Sequence, residues 1–298
     1  MIFCMKILIV CALFASISCQ HKSKYELRNP SAACLIGGRP AAVSVNEQAF
    51  CAHQESASDK DFQVVKNRIK ALDEQFKDYQ DGDECEGAVC SLFSGAKEKF
   101  KLSQTMNEYK SLNRDEVFTI LNYAEWGYQA YNSVLWSEKS ESEATVSEIK
   151  VLATALRKIK PYSAEKLYRG EIQPHVKEEY EALEQRVSAF NLEGASLEEP
   201  KAGREIFYQS FMSTTIGSNE EAKEAYIDGR MISIEVKGQS GRLIAPLSSR
   251  EWEEEVLFLP GTWFKVEDIQ KVKRKPTANY PYGFQWKIKL SEIVDSRK

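Results

Sequence analysis

Histidine is nearly absent from this chain: His21, His53 and His175 are the only three in 298 residues. Two lie in the N-terminal arm, and His175 opens a predicted helix as a surface residue, so neither a histidine-based hydrolase constellation nor a histidine metal cluster can be assembled. No glycine-rich phosphate loop is present, because Gly37-Gly38 lacks the strand and helix such a loop needs. Charge of one sign is also missing. Lys and Arg number 40 against 44 Asp and Glu, a net charge of -4, which argues against a nucleic-acid surface as the chain's main business. There is no internal repeat. The apolar fraction of 43% and charged fraction of 28% are those of an ordinary globular protein, which argues against disorder and against a polytopic membrane protein.

The N-terminus departs from that composition. Lys6 is followed by an apolar run from Ile7 to Ile17 and then by Ser18 and Cys19, a core too short for a stable membrane anchor and suited to a signal peptide over residues 1–18. Ser16 and Ser18 are small enough for cleavage before Cys19. The segment resembles a bacterial lipoprotein signal, which makes Cys19 a possible lipid anchor; the alternative is plain secretion. Cysteine use agrees with export. After Cys19 there remain Cys34, Cys51, Cys85 and Cys90, and none follows. In an oxidising compartment this reads as two disulfides, with the pairing open; a zinc site is the competing reading, weakened because no histidine lies close to either pair.

Residues 19 to about 58 are rich in Ser, Ala, Pro and Gly and suggest a tether. Phe62, Val65, Ile69, Leu72, Phe76 and Tyr79 then recur at spacings of three and four, which predicts an amphipathic helix. Further helices are expected from Asp115 to about Trp136, from Glu143 to Ile159 where Pro161 stops it, and from Pro174 to Ala189. Beyond these the chain changes character. Leu167–Arg169, Ile206–Ser213, Met231–Lys237, Arg242–Leu247, Glu255–Leu259, Trp263–Lys273 and Phe284–Leu290 are short, β-branched and aromatic, and read as strands. Helices first and strands later indicate an α+β fold.

One cluster could carry chemistry. Arg250-Glu251-Trp252-Glu253-Glu254-Glu255 runs directly into Val256-Leu257-Phe258-Leu259-Pro260-Gly261. Strand alternation is expected to send Glu253 and Glu255 to one face. Taken alone, such a run is more often a solvated acidic loop than a site.

Three further segments change its standing: Leu167-Tyr168-Arg169-Gly170, Phe211-Met212-Ser213-Thr214-Thr215, and Tyr123-x3-Gly127-Tyr128-x3-Asn132-x2-Leu135. With the Glu253-x-Glu255 run these resemble, in order, the arginine–serine–glutamate class of mono-ADP-ribosyltransferases, which includes binary toxins and animal ectoenzymes. The resemblance covers about residues 100 to 295. It implies helices packed beside two antiparallel sheets, with NAD+ as co-substrate in the cleft between them and no metal. It places Arg169, Gly170, Ser213, Thr214, Tyr226 and Glu255 around NAD+, and Glu255, Glu253 and Ser213 in catalysis. Arg169 would hold the diphosphate, and Ser213 would order Glu255, with Thr215 supporting the strand. Glu255 would bond the ribose 2'-hydroxyl and stabilise positive charge as nicotinamide leaves. Glu253 would orient the attacking group, and glutamate there goes with arginine acceptors in the family.

Two positions stay open. Tyr226 either stacks on nicotinamide or simply packs, and Trp252 either meets the acceptor or packs. The organisation expected is a signal peptide (1–18), a cysteine-containing arm and helical segment (19–95), and an ADP-ribosyltransferase domain (96–298). The expected activity is transfer of ADP-ribose to arginine on a protein partner. NAD+ glycohydrolysis is the alternative, and a catalytically silent binding protein a further one.

Overall fold

The computed structural model describes residues 56–75, 88–135, 142–171, 203, 205–208, 210–228, 230–276 and 283–294. The signal segment, Cys19, Cys34, Cys51, Cys85, the histidines and the helix expected over Pro174–Ala189 lie outside these residues, as does the side chain of Cys90.

The 3–4 periodicity from Phe62 becomes α1 (Asp59–Gln75), which ends before Phe76 and Tyr79. A second helix, α2 (Ala88–Thr105), was not among the expected elements. The stretch expected as one helix from Asp115 is three pieces end to end: α3 (Arg114–Asn122), a π turn (Tyr123–Gly127) and α4 (Tyr128–Leu135). Asn113 and Glu116 close the start of α3 with a reciprocal capping box, each bond 2.9 Å, an arrangement worth about 1 kcal/mol. α5 (Glu143–Lys158) is capped by Ser142.

α1 buries Val65, Ile69 and Leu72 against Leu92 and Ala96 of α2, Phe118 and Leu121 of α3, and Val151 of α5. The boundary expected between residues 95 and 96 falls inside α2.

The strands are β1 (Tyr162–Glu171), β2 (Glu205–Tyr208), β3 (Met212–Thr215), β4 (Ile232–Leu243), β5 (Glu255–Phe258), β6 (Thr262–Lys273) and β7 (Phe284–Glu292). Between β3 and β4 lie a short helix, α6 (Glu220–Lys223), and a π turn (Glu224–Asp228). The single strand expected over Ile206–Ser213 is two, separated by a bend at Ser210. The bend lets Phe211 enter the helical core while Met212 enters the sheet core. Conversely, β4 absorbs one expected strand and the start of another, and Ala245–Leu247 is a 3-10 turn around Pro246.

Strand order is β1-β3-β5-β4-β7-β6-β2, with β1 also pairing to β4. Among the described residues all pairs are antiparallel except β4–β7. The two sheets expected are therefore joined. β4 pairs with β1 and β7 along its first part, then crosses to β5 through Arg242↔Leu257 and Leu243↔Val256.

Alternation along β5 links two cores. Leu257 faces Tyr123, Tyr131, Ile149 and Phe211 in the helical core. Val256 and Phe258 face Leu167, Ile234, Val236 and Phe264 between the strands. Burying each such side chain contributes roughly 1.5–3 kcal/mol, so β5 is anchored on both faces. Glu255 stands on the Leu257 side of this strand, at its entrance.

Candidate active site

The π turn decides which side chains of the helical layer reach the strands. One extra residue per turn redirects Tyr123 and Glu125 inward, and both are buried. Gly127 makes the turn possible, since a Cβ there would stand 2.8 Å from the Asn122 carbonyl oxygen. Single π turns of this kind gather at functional positions. Tyr123 packs edge-on against Phe211 at 5.3 Å. Burial, and then the nearby Glu255 carboxylate, push its phenol well above the ordinary range.

Arg169 comes from β1. Its Nε donates to Glu171 Oε1 at 2.8 Å and its Nη1 to the Ser213 carbonyl at 2.9 Å. Glu171 is buried and also accepts from the Tyr208 hydroxyl at 3.3 Å. The guanidinium is therefore fixed in orientation, by two charge-assisted or directional bonds from different strands.

Gly170, next along, is required by packing at normal φ. A Cβ at this position would sit 1.9 Å from the Tyr226 carbonyl oxygen and 2.2 Å from Arg230 Cγ. The π turn carrying Tyr226 thus lies directly on β1.

Ser213 and Thr214 come from β3, paired to β5 in the register Ser213↔Leu257, Thr214↔Val256 and Thr215↔Glu255. The Thr214 hydroxyl donates to the Val256 carbonyl at 2.7 Å, which ties the two strands together below the site. Ser213 Oγ lies 3.3 Å from the Tyr226 hydroxyl, and that hydroxyl donates to Glu253 Oε2 at 3.0 Å. Tyr226 thus joins the serine to one carboxylate, through its hydroxyl. Burial, then Glu255 and Glu253, raise its phenol well above the usual value.

Glu253 and Glu255 do converge, but not by strand alternation. Glu251–Glu253 form a 3-10 turn, and Glu254 takes a left-handed conformation with φ 50. A non-glycine residue there costs about 1 kcal/mol. Local bonds offset it: Ser218 N donates to Glu254 Oε2 at 2.6 Å, Ile216 N donates to the Glu254 carbonyl at 3.2 Å, and Ser218 Oγ donates to Oε1. This kink swings Glu253 back over the entrance of β5. Glu251, the remaining acid of the run, pairs instead with Lys99 of α2, which also donates to the Pro246 carbonyl at 3.3 Å. Trp252 is partly exposed, and its carbonyl accepts from Asn219 Nδ2 at 2.9 Å.

Glu255 is 3% exposed. Burial pushes its carboxyl up to about 7, and Glu253 adds to the rise; a hydrogen bond from Ser213 and the charges of Arg169 and Arg250 oppose it. Burial also raises Glu253, against its bond from Tyr226 and the Arg250 charge, with Glu125 reinforcing the rise. Two carboxylates and a phenol therefore share one desolvated site with two guanidiniums, the setting in which carboxylates are tuned for acid–base or charge-stabilising work.

The arrangement brings together Arg169, Ser213, Tyr226, Glu253 and Glu255, while Gly170 and Thr214 support it from beneath. Sequence reasoning missed Glu125, Arg250 as a partner of both acids, and Lys99 as the anchor of the acidic loop. The only sequence signal for Arg250 was its place beside the acidic run.

This α+β architecture, helices packed beside a mainly antiparallel sheet, is that of the ADP-ribosyltransferases. Solved structures share the fold. The type III effector XopAI from Xanthomonas axonopodis pv. citri is 17% identical with TM-score 0.57, covering 84% of this chain and 96% of that one. The ADP-ribosyltransferase HopU1 of Pseudomonas syringae pv. Tomato is 16% identical with TM-score 0.54, covering 80% of this chain and 99% of that one. No curated protein matches the chain in sequence at a significant level. The family model for ADP-ribosyltransferase exoenzymes matches residues 97–282, and the chain belongs to that family. It is accordingly a member of an enzyme family whose ADP-ribose donor is NAD+.

Proposed function

We propose that this protein transfers ADP-ribose from NAD+ to the guanidinium of an arginine on a protein acceptor, with Glu255 as the central catalytic residue. The observation that carries this reading is the placement of Glu255. It is almost fully buried, close to Ser213 and in the field of Arg169, and beside a second carboxylate, Glu253. In the reaction the bond from nicotinamide to the ribose breaks, its electron pair leaves with nicotinamide, and the anomeric carbon acquires positive charge. Ionised Glu255 stabilises that charge from a site too dry for water to do so. Arg169 binds the diphosphate, because a guanidinium held by Glu171 and Ser213 is a permanent, oriented cation. Ser213 holds Glu255 in place, and Thr214 fixes the strand pair that carries both.

Glu253 meets the acceptor. As the guanidinium nitrogen bonds to the anomeric carbon it loses one proton, and Glu253 is the group positioned to take it. A carboxylate also matches a guanidinium in charge and in paired acceptor geometry, which supports arginine as the acceptor. Export of the chain, with the possible lipid anchor at Cys19, completes the proposal and rests on the N-terminal sequence.

Incubating the protein with NAD+, with and without agmatine as a small guanidino acceptor, tests this reading. Nicotinamide release with ADP-ribosyl-agmatine is the expected result. Release without attachment makes the protein a glycohydrolase. No release under any condition leaves a silent binding protein and overturns the proposal.

A further inference from the structure

Arg250 stands between two carboxylates and an indole ring. Its Nη1 lies 3.4 Å from Glu253 Oε1, its Nε lies 4.0 Å from Glu125 Oε2, and its guanidinium carbon sits 5.7 Å from the centroid of the Trp126 ring. Two acids and an aromatic face around a guanidinium is the chemistry by which a protein recognises an arginine side chain. Both distances exceed the roughly 2.7–2.9 Å of a well-made bond between these charges. Arg250 therefore makes one long hydrogen bond to Glu253 and a looser ion pair with Glu125. Its side chain is 35% exposed, while its backbone is held by a 2.9 Å bond from its N–H to Ser248 Oγ. The side chain can leave without moving the loop.

Glu125 is the stronger sign. Its side chain is 8% exposed, and its Oε1 is buried without a hydrogen-bond partner among the described residues. An unmatched buried carboxylate oxygen is costly, and native proteins keep one where something else completes it. The π turn places Glu125 inward and leaves Trp126, the next residue, 56% exposed. The inward acid and the outward ring, on consecutive residues, thus stand around the same guanidinium as Glu253.

We propose that Glu125, Trp126 and Glu253 form the seat for the acceptor's guanidinium, and that Arg250 is the chain's own occupant of that seat, displaced when an acceptor arginine enters. This rests on the reading of arginine as the acceptor. In the displaced state the incoming guanidinium bonds Glu253 with one edge and the unmatched oxygen of Glu125 with another, while Trp126 covers its face. Glu125 and Trp126 then select the acceptor, and Arg250 sets a threshold that a weakly binding guanidine does not pass.

The test is steady-state transfer to agmatine by the full chain, with agmatine and NAD+ varied separately. Glu125→Gln keeps shape and removes the charge, and is expected to raise the KM for agmatine about tenfold. The KM for NAD+ should move much less, which also reports a folded protein. Trp126→Ala, at an exposed position, should raise the agmatine KM in the same direction. Arg250→Gln empties the seat and should lower it. If agmatine is modified but Glu125→Gln and Trp126→Ala leave its KM unchanged, or Arg250→Gln raises it, the seat is wrong while the arginine reading stands. If nicotinamide is released and agmatine is never modified, the arginine reading fails and the seat falls with it.

Discussion

Replacing Glu255 with glutamine removes one charge from a carboxyl that is almost fully buried in the cleft, and the stability of the fold then changes with pH. The group is 3% exposed, and its carboxyl is raised from the ordinary 4.5 to about 7. Each tenfold change in proton affinity is worth about 1.36 kcal/mol, so holding Glu255 ionised in the folded protein costs about 3 kcal/mol. The sign follows from proton binding. Between pH 4.5 and 7 the folded state keeps a proton that the unfolded chain has released. Stability contributed by this group therefore falls as pH rises through that window. Glutamine does not titrate, has nearly the same volume, and keeps a carbonyl oxygen able to accept a hydrogen bond. Urea unfolding at about pH 4.5 and about pH 8 should therefore show the variant gaining on the parent by up to about 3 kcal/mol at the higher pH, while losing activity. Parallel pH dependence in the two proteins, or a variant less stable at the higher pH, would refute the reasoning.

Arg169→Lys keeps the charge but replaces the planar fork that Glu171 and the Ser213 carbonyl orient with a compact point charge, and kcat/KM for NAD+ should fall by about 10- to 100-fold. Gly170→Ala puts a methyl group 1.9 Å from the Tyr226 carbonyl oxygen, so thermal unfolding should show a loss of about 2 kcal/mol or more. An unchanged Tm would mean that the π turn over β1 yields freely. Tyr226→Phe removes the 3.0 Å donor that favours ionised Glu253. Glu253 then protonates at higher pH, and the acid limb of the transfer rate should move upward; a limb that stays put would detach Tyr226 from Glu253.

The sequence made some of this legible for plain reasons. α5 carries its apolar residues in one stripe and stops before a proline, and Val256-Leu257-Phe258 reads as a strand because it is buried on both faces. α2 escaped notice because much of its buried side is polar: Lys99 and Ser103 follow Leu92 and Ala96. β4 looked like two strands because Gly238 and Gly241 resemble a break. In the fold they are where the Phe258 ring and Val256 Cγ1 press against the strand, at 2.5 and 2.6 Å from a would-be Cβ.

The candidate site divides in the same way. Arg169, Ser213 and Glu255 could be picked out because their segments, taken in order, resemble those of a known family, and each lies on a strand. Glu253 was placed beside Glu255 for the wrong reason, since a left-handed residue at Glu254 rather than strand alternation brings it there. Glu125 could not be read at all, because nothing in the sequence marks a π turn.

Nicotinamide release from NAD+ by the parent protein and by Glu255→Gln, measured side by side at about pH 8 with agmatine present, addresses the central claim most directly. The parent should release nicotinamide and form ADP-ribosyl-agmatine, and the variant, folded and at least as stable, should lose both by a factor of about 100 or more. A variant that keeps the parent's rate would contradict the account, because the charge at Glu255 would then have no part in the reaction.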